Sequence, residues 1–140
     1  MKIIAVDPGA VASGVACIYS HAESWFADQY TDPLKAWEVI EDELDDAHEC
    51  VFLVEDFQTS AQLTREGRTT IGYVGFFELA ARVYHSHHTI LVKSPQHRLS
   101  GQREAAQLMG GTIEELKRDP SRKDAFSALS HCCVYRRTVR

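Results

Sequence analysis

The chain has 140 residues, 44% of them hydrophobic, and a formal net charge of −5. That length and apolar content fit a single domain over residues 1–140 with its own core, and no apolar run approaches the roughly 20 residues of a membrane span. The acidity argues against a simple polyanion binder, yet residues 1–56 carry 2 Lys/Arg against 13 Asp/Glu, net −11, and residues 57–140 carry 13 against 7, net +6; the C-terminal part can therefore face phosphates.

Met1-Lys2 runs straight into a strand-like segment without the apolar stretch and cleavage site of a secretory signal, the pattern expected of a cytoplasmic protein. Cys17, Cys50, Cys132 and Cys133 lack Cys-x-x-Cys spacing, which supports neither a zinc site nor a disulfide framework. Low-complexity tracts, repeats and linkers are absent from the sequence.

Ile3-Ile4-Ala5-Val6-Asp7 predicts a buried strand over 2–7, and Pro8-Gly9 breaks it so that Asp7 stands at the sheet rim. Further strand-like runs at 13–19 and about 22–27, with short connections, predict an antiparallel meander. Asp32 as N-cap and Pro33 at the first helical position start a helix. Trp37, Ile40, Leu44 and Ala47 recur on its inner face, and Glu41, Asp42, Glu43, Asp45 and Asp46 point mostly outward. Val51-Phe52-Leu53-Val54 reads as a strand buried on both faces. It ends on Glu55, with Asp56 facing the opposite side.

Residues 57–68, with Gln58, Thr59, Ser60, Arg65, Gly67 and Arg68, predict a mobile polar loop. Phe57 at its mouth is a candidate wedge between unstacked bases, with core packing as the plainer reading. The following helix, about 69–85, is apolar on nearly every side (Ile71, Val74, Phe77, Leu79, Val83) and needs a second cover. A dimer interface is the preferred cover, and burial of the helix at the centre of the monomer is the rival. His85, His87 and His88 lack spaced partners and read as a solvated loop. A fifth strand spans 89–93, a polar Gly-bounded stretch with Arg98 and Arg103 spans 96–111, and a short helix falls at 112–118. The last helix, roughly 121–137, has Ala125, Ala128, Leu129, Cys132 and Cys133 on its apolar face and ends in Arg136, Arg137 and Arg140. The order βββαβαβα predicts an α/β fold with a five-stranded mixed sheet flanked by helices.

Asp7 ends the first strand, Glu55 ends the fourth, and Asp124 lies in the first turn of the last helix. A helical crossover joins strands 1 and 4, so they can be parallel neighbours with their C-terminal ends together. Converging carboxylates repel unless a cation sits among them, and hard oxygen donors suit Mg²⁺. Two such ions, about 3.5–4 Å apart, can activate water and stabilise the leaving oxygen of a phosphodiester. A glycosidase also uses paired carboxylates but fits three acids and a basic C-terminal half less well. Asp124 has a structural reading too, because Ser121-Arg122-Lys123-Asp124 matches a capping box; Asp119 before Pro120 reads as an N-cap.

Val6-Asp7-Pro8-Gly9 with Gly14, Val54-Glu55 and Lys123-Asp124-Ala125 resemble the motifs of the RuvC-like Holliday junction resolvases of the RNase H-like superfamily, over nearly the whole chain and in the size class of the small phage-type members. The resemblance implies an RNase H-like fold and a catalytic set of Asp7, Glu55 and Asp124 that ligates two Mg²⁺ ions, with Mn²⁺ as substitute. It implies that Pro95 to Gly101 lies near DNA, making Arg98 and Arg103 candidate phosphate contacts together with Lys123. It also implies branched DNA as partner, and a homodimer through helix 69–85 whose two sites nick opposing strands.

One departure is Ser121, where the family carries an acid or a histidine three residues before the last aspartate. Either Asp119 is the replacement or three acids suffice, and His131, two turns beyond Asp124, is a further group in reach or a buried structural histidine. Rival readings keep the site but cut RNA–DNA hybrid, flap or nonspecific DNA, or make the chain a noncatalytic nucleic-acid-binding relative. A nucleotide-binding module similar to actin-like ATPases needs two lobes, and 140 residues supply one.

Overall fold

Side chains alternate across a strand, so apolar residues at every position of a strand call for cover on both faces of the sheet. The computed structural model has that arrangement and describes residues 1–21, 23–46, 48–58 and 63–139; the predictions made for Ala47, Thr59, Ser60 and Arg140 lie outside the described residues. The strands are β1 (Lys2–Asp7), β2 (Ser13–Tyr19), β3 (Trp25–Tyr30), β4 (Cys50–Glu55) and β5 (Thr89–Lys93). The helices are α1 (Pro33–Asp45), α2 (Arg65–Tyr84), α3 (Gln102–Met109), α4 (Ile113–Arg118) and α5 (Lys123–Thr138), with a 3-10 helix at Pro95–Gly101.

The sheet order is β3-β2-β1-β4-β5. β1 pairs antiparallel with β2 and parallel with β4, and β4 pairs parallel with β5. The crossover through α1 thus sets β4 beside β1, with Val6 opposite Val54. Ile3, Ala5, Val51 and Leu53 point to one face, under α3, α4 and α5. Ile4, Val6, Phe52 and Val54 point to the other, under α1 and α2. Asp7 and Glu55 continue the first set and so face α5.

Several elements differ from expectation. β3 lies three residues later than 22–27, because the register pairs Ile18 with Trp25 through Ser13 with Tyr30. α2 starts at Arg65, inside the expected loop, with Thr64 as N-cap accepting from the Gly67 amide. The polar stretch 96–111 is helical and ends at Gly110, whose φ of 74° is the left-handed cap that glycine allows.

α2 is not a buried central helix: Val74, Phe77 and Ala81 meet the sheet, while Leu79, Val83 and Tyr84 are exposed. α5 is the buried one, its inner residues running from Ala125 through Cys133. The histidine segment is not a solvated loop, since His85 and His88 are buried. His85 Nε2 lies 2.9 Å from Glu41, and His88 Nε2 lies 2.9 Å from the Leu44 carbonyl. The acids of α1 are likewise partly engaged, Glu43 accepting from buried Lys2 at 2.7 Å. Among the described residues no helix is long and apolar enough to cross a membrane.

Leu129 is fully buried between α5 and the sheet. Leu129→Ala is expected to lower the unfolding free energy by about 2–5 kcal/mol, seen as a lower denaturant midpoint with an unchanged slope.

Candidate active site

The three predicted acids come together at the C-terminal edge of the sheet. Asp7 and Glu55 end adjacent parallel strands, and their carboxyl groups hydrogen-bond to each other. Asp124 arrives from the first turn of α5, close enough for its charge to act on both. Gly14 makes this approach possible: it sits opposite Asp7 in register, and a Cβ there would run into the Asp124 backbone carbonyl.

The helix start is held by a residue that the sequence did not reveal. Gln29, near the end of β3, accepts from the Asp124 and Ala125 amides at 2.6 and 3.3 Å and donates to the Pro120 carbonyl at 3.0 Å. The expected capping box is therefore absent. The Ser121 hydroxyl instead donates to Asp119 at 2.7 Å, and Asp119 also binds Arg122 at 2.7 Å. Those bonds hold the Asp119 carboxyl down at about 2 and occupy it, so neither Ser121 nor Asp119 supplies a fourth acid to the cluster.

Burial, followed by the bond to Glu55 and the charges of Glu55 and Asp124, raises the Asp7 carboxyl well above the usual carboxylate range. Glu55 is buried as well, but the bond from Asp7 and the nearness of His131 and Arg98 outweigh its desolvation and hold it below that range. The two neighbours thus shift in opposite directions, Asp7 toward its neutral form and Glu55 toward its ionised form. Asp124 is raised by burial, with Lys123 opposing and Glu55 adding to the shift.

Around the acids, the Arg98 guanidinium forms an ion pair with Glu55 Oε1, and the Ser127 hydroxyl donates to Glu55 Oε2 at 3.3 Å. Ser127 lies three residues after Asp124 on the same helix face, a spacing visible in the sequence. His131 Nε2 is 3.3 Å from Glu55 Oε1 yet off line for a hydrogen bond. Asp7, Asp124 and Ser127 line an open cleft of about 190 Å³ with Arg98, Lys117 and Lys123.

The other predicted contacts divide. Lys123 is exposed at the cleft, and Arg98 is in it as the partner of Glu55. Arg103 is exposed on α3 and lines neither this cleft nor its neighbour. Phe57 is half-buried against Gly67 and the α1/α2 side of the core, a wall of the neighbouring cleft rather than a projecting wedge.

Among the described residues no three His, Cys, Asp or Glu side chains already stand as a metal-ligand cluster. The donor chemistry fits a hard cation nonetheless. Glu55 and Asp124 raise the cost of ionising Asp7, and the Arg98 guanidinium offsets charge that a divalent cation offsets among oxygen ligands.

No family model and no curated sequence matches the chain. Among solved structures it is similar to Thermus thermophilus RuvC in complex with a Holliday junction substrate, with TM-score 0.65 over 99% of this chain and 96% of that one at 15% identity. It is also similar to a second Thermus thermophilus RuvC structure, with TM-score 0.55 over 99% and 97% at 19% identity. The chain has the RuvC-like, RNase H-like fold that its motifs led us to expect, a mixed five-stranded sheet flanked by helices.

Proposed function

We propose that the chain is a divalent-cation-dependent endonuclease that cuts branched DNA, a small phage-type Holliday junction resolvase acting as a homodimer. The observation that carries this reading is the convergence of Asp7 and Asp124 on a cleft rimmed by Arg98, Lys117 and Lys123, with Glu55 buried beside Asp7. Carboxylates alone repel a phosphodiester; carboxylates that hold Mg²⁺ or Mn²⁺ beside fixed cations accept one. The similarity in fold to a RuvC bound to a junction supports DNA of that shape as the substrate.

In this reading Asp7, Glu55 and Asp124 hold two cations, which supply an activated water and charge for the leaving oxygen. Lys123 and Lys117 attract and orient the phosphate, and Arg98 reaches it on leaving Glu55. Ser127 keeps the Glu55 carboxylate in place, and Gln29 fixes the turn that carries Asp124. The homodimer reading rests on α2, whose exposed Ile71, Leu79 and Val83 lie at i, i+8 and i+12 along one side of the helix.

The raised Asp7 carboxyl gives a pH dependence. Asp7 keeps its proton at pH values where an ordinary carboxyl has lost it, and the proton competes with the cation. Mn²⁺ affinity is expected to keep rising with pH beyond the range in which an ordinary carboxyl is fully ionised, measured by calorimetric titration; affinity that levels off in that ordinary range contradicts a raised Asp7 carboxyl.

The test of function is a cleavage panel of four-way junction, flap, RNA–DNA hybrid and linear duplex, each with Mg²⁺ or EDTA. Mg²⁺-dependent, paired nicks on the junction are expected. Preference for the hybrid or the flap moves the site to another substrate, and no cleavage of any of them removes the nuclease reading.

A further inference from the structure

The nitrogen of His131 that faces Glu55 is the most conspicuous polar atom without a partner. His131 is 1% exposed, and its Nε2 makes no hydrogen bond. Buried polar atoms are nearly always paired, so such an atom beside a functional carboxylate calls for an explanation. Its contact at 3.3 Å is with Glu55 Oε1, the oxygen that Arg98 now occupies.

The other ring nitrogen is firmly engaged. His131 Nδ1 lies 2.8 Å from Nδ1 of His97 in the 3-10 helix, and the two rings are nearly parallel at 13°. A bond between two imidazole nitrogens at that distance holds one proton. Burial, then His131 and Lys93, push the His97 imidazole down to about 4, so His97 is neutral near pH 7. If His97 donates, neutral His131 carries its proton on Nε2. If His131 donates instead, a neutral ring turns a bare Nε2 lone pair toward a buried carboxylate, so the pocket favours His97 as the donor and an Nε2–H directed at Glu55.

We infer that His97 and His131 are a positioning pair for Glu55, in which His97 fixes the proton placement of the His131 ring and His131 Nε2–H takes over Glu55 Oε1 when Arg98 leaves it. The inference rests on reading Asp7, Glu55 and Asp124 as the cation-holding set. Neither histidine touches reacting atoms in this scheme, and no proton changes hands. The pair keeps Glu55 oriented while the guanidinium is engaged elsewhere, and partners of ligating carboxylates typically tune metal affinity by about 10–100-fold.

The test compares the full-length wild type with His97→Leu and His97→Asn, whose amide nitrogen can stand in for Nδ1. Long-range ¹H–¹⁵N spectra of the metal-free proteins report which His131 nitrogen carries the proton, and calorimetric titration with Mn²⁺ reports affinity. Protonated Nε2 is expected in the wild type and in His97→Asn and is expected to be lost or mixed in His97→Leu. Mn²⁺ affinity is expected to fall about 10–100-fold in His97→Leu and to recover in His97→Asn. A neutral wild-type His131 protonated on Nδ1 overturns the inference even if no variant folds. A folded His97→Leu with wild-type spectrum and affinity also overturns it. If the wild type binds no Mn²⁺, the proposed function fails on its own account, and the His131 spectra then decide the pair.

Discussion

Asp7→Asn is expected to reduce divalent-dependent nicking by about 10³-fold or more and, at the same time, to make the metal-free protein more stable. The loss follows from removing the carboxylate that joins the other two acids at the sheet edge, a change in the charge that holds the transition state. The gain follows from the raised carboxyl. In the unfolded chain Asp7 ionises in the usual range, whereas the fold holds on to its proton, so between those two values the folded state binds more protons and stability declines as pH rises. Below the unfolded value the penalty vanishes, and above the folded value it is complete. Asn carries none of it and retains an N–H donor for Glu55. Unfolding curves in EDTA should therefore converge in acid and separate in favour of the variant at neutral pH.

Mg²⁺ at about 100 times its dissociation constant should stabilise the wild type by about 2.7 kcal/mol, a shift of roughly 5–10 °C for a domain of this size. Asp7→Asn should lose that shift. A variant that nicks at the wild-type rate would take Asp7 out of the chemistry.

Gly14→Ala is expected to damage stability and activity together. The glycine lies on β2 opposite Asp7 and against the first turn of α5, and an added Cβ meets main-chain atoms of Asp124 that cannot rotate away. Overpacking of this kind costs about 1–3 kcal/mol. It also pushes the Asp124 carboxylate off its position, and a displacement of about 1 Å at a reacting centre costs on the order of 10²-fold in rate. The two substitutions are distinguishable, because the metal-free protein gains stability in one and loses it in the other. Retained far-ultraviolet dichroism with lowered Mn²⁺ affinity would place the Gly14→Ala defect at the site.

The strands nearest the site were legible because their signal is local. Apolar runs ending on Asp7 and Glu55, with a helical crossover between them, were enough to predict parallel neighbours whose acids share a face. Asp124 stands at the cleft beside Asp7, but its surroundings are not legible locally: Ser121-x-x-Asp124 has the spacing of a capping box, and Gln29, from a strand 95 residues away, takes over the amide that a cap would satisfy. Nothing local to Gln29 or His97 marks them, since their roles exist only once β3 and the 3-10 helix lie against α5.

The start of α2 was missed for another reason. Polar residues after Leu63 look like a loop until Thr64 is recognised as the N-cap of a helix whose first turn is solvated. The acids of α1 looked like a solvated face because their partners, Lys2 and His85, come from remote segments.

Whether the three carboxylates hold divalent ions decides between a nuclease and a noncatalytic relative most directly. Crystals soaked in Mn²⁺ and recorded at the manganese absorption edge should show anomalous density among Asp7, Glu55 and Asp124, with Arg98 withdrawn from Glu55. Saturating Mn²⁺ that leaves the space among these side chains without anomalous density, or ions bound only elsewhere on the molecule, would contradict the nuclease reading.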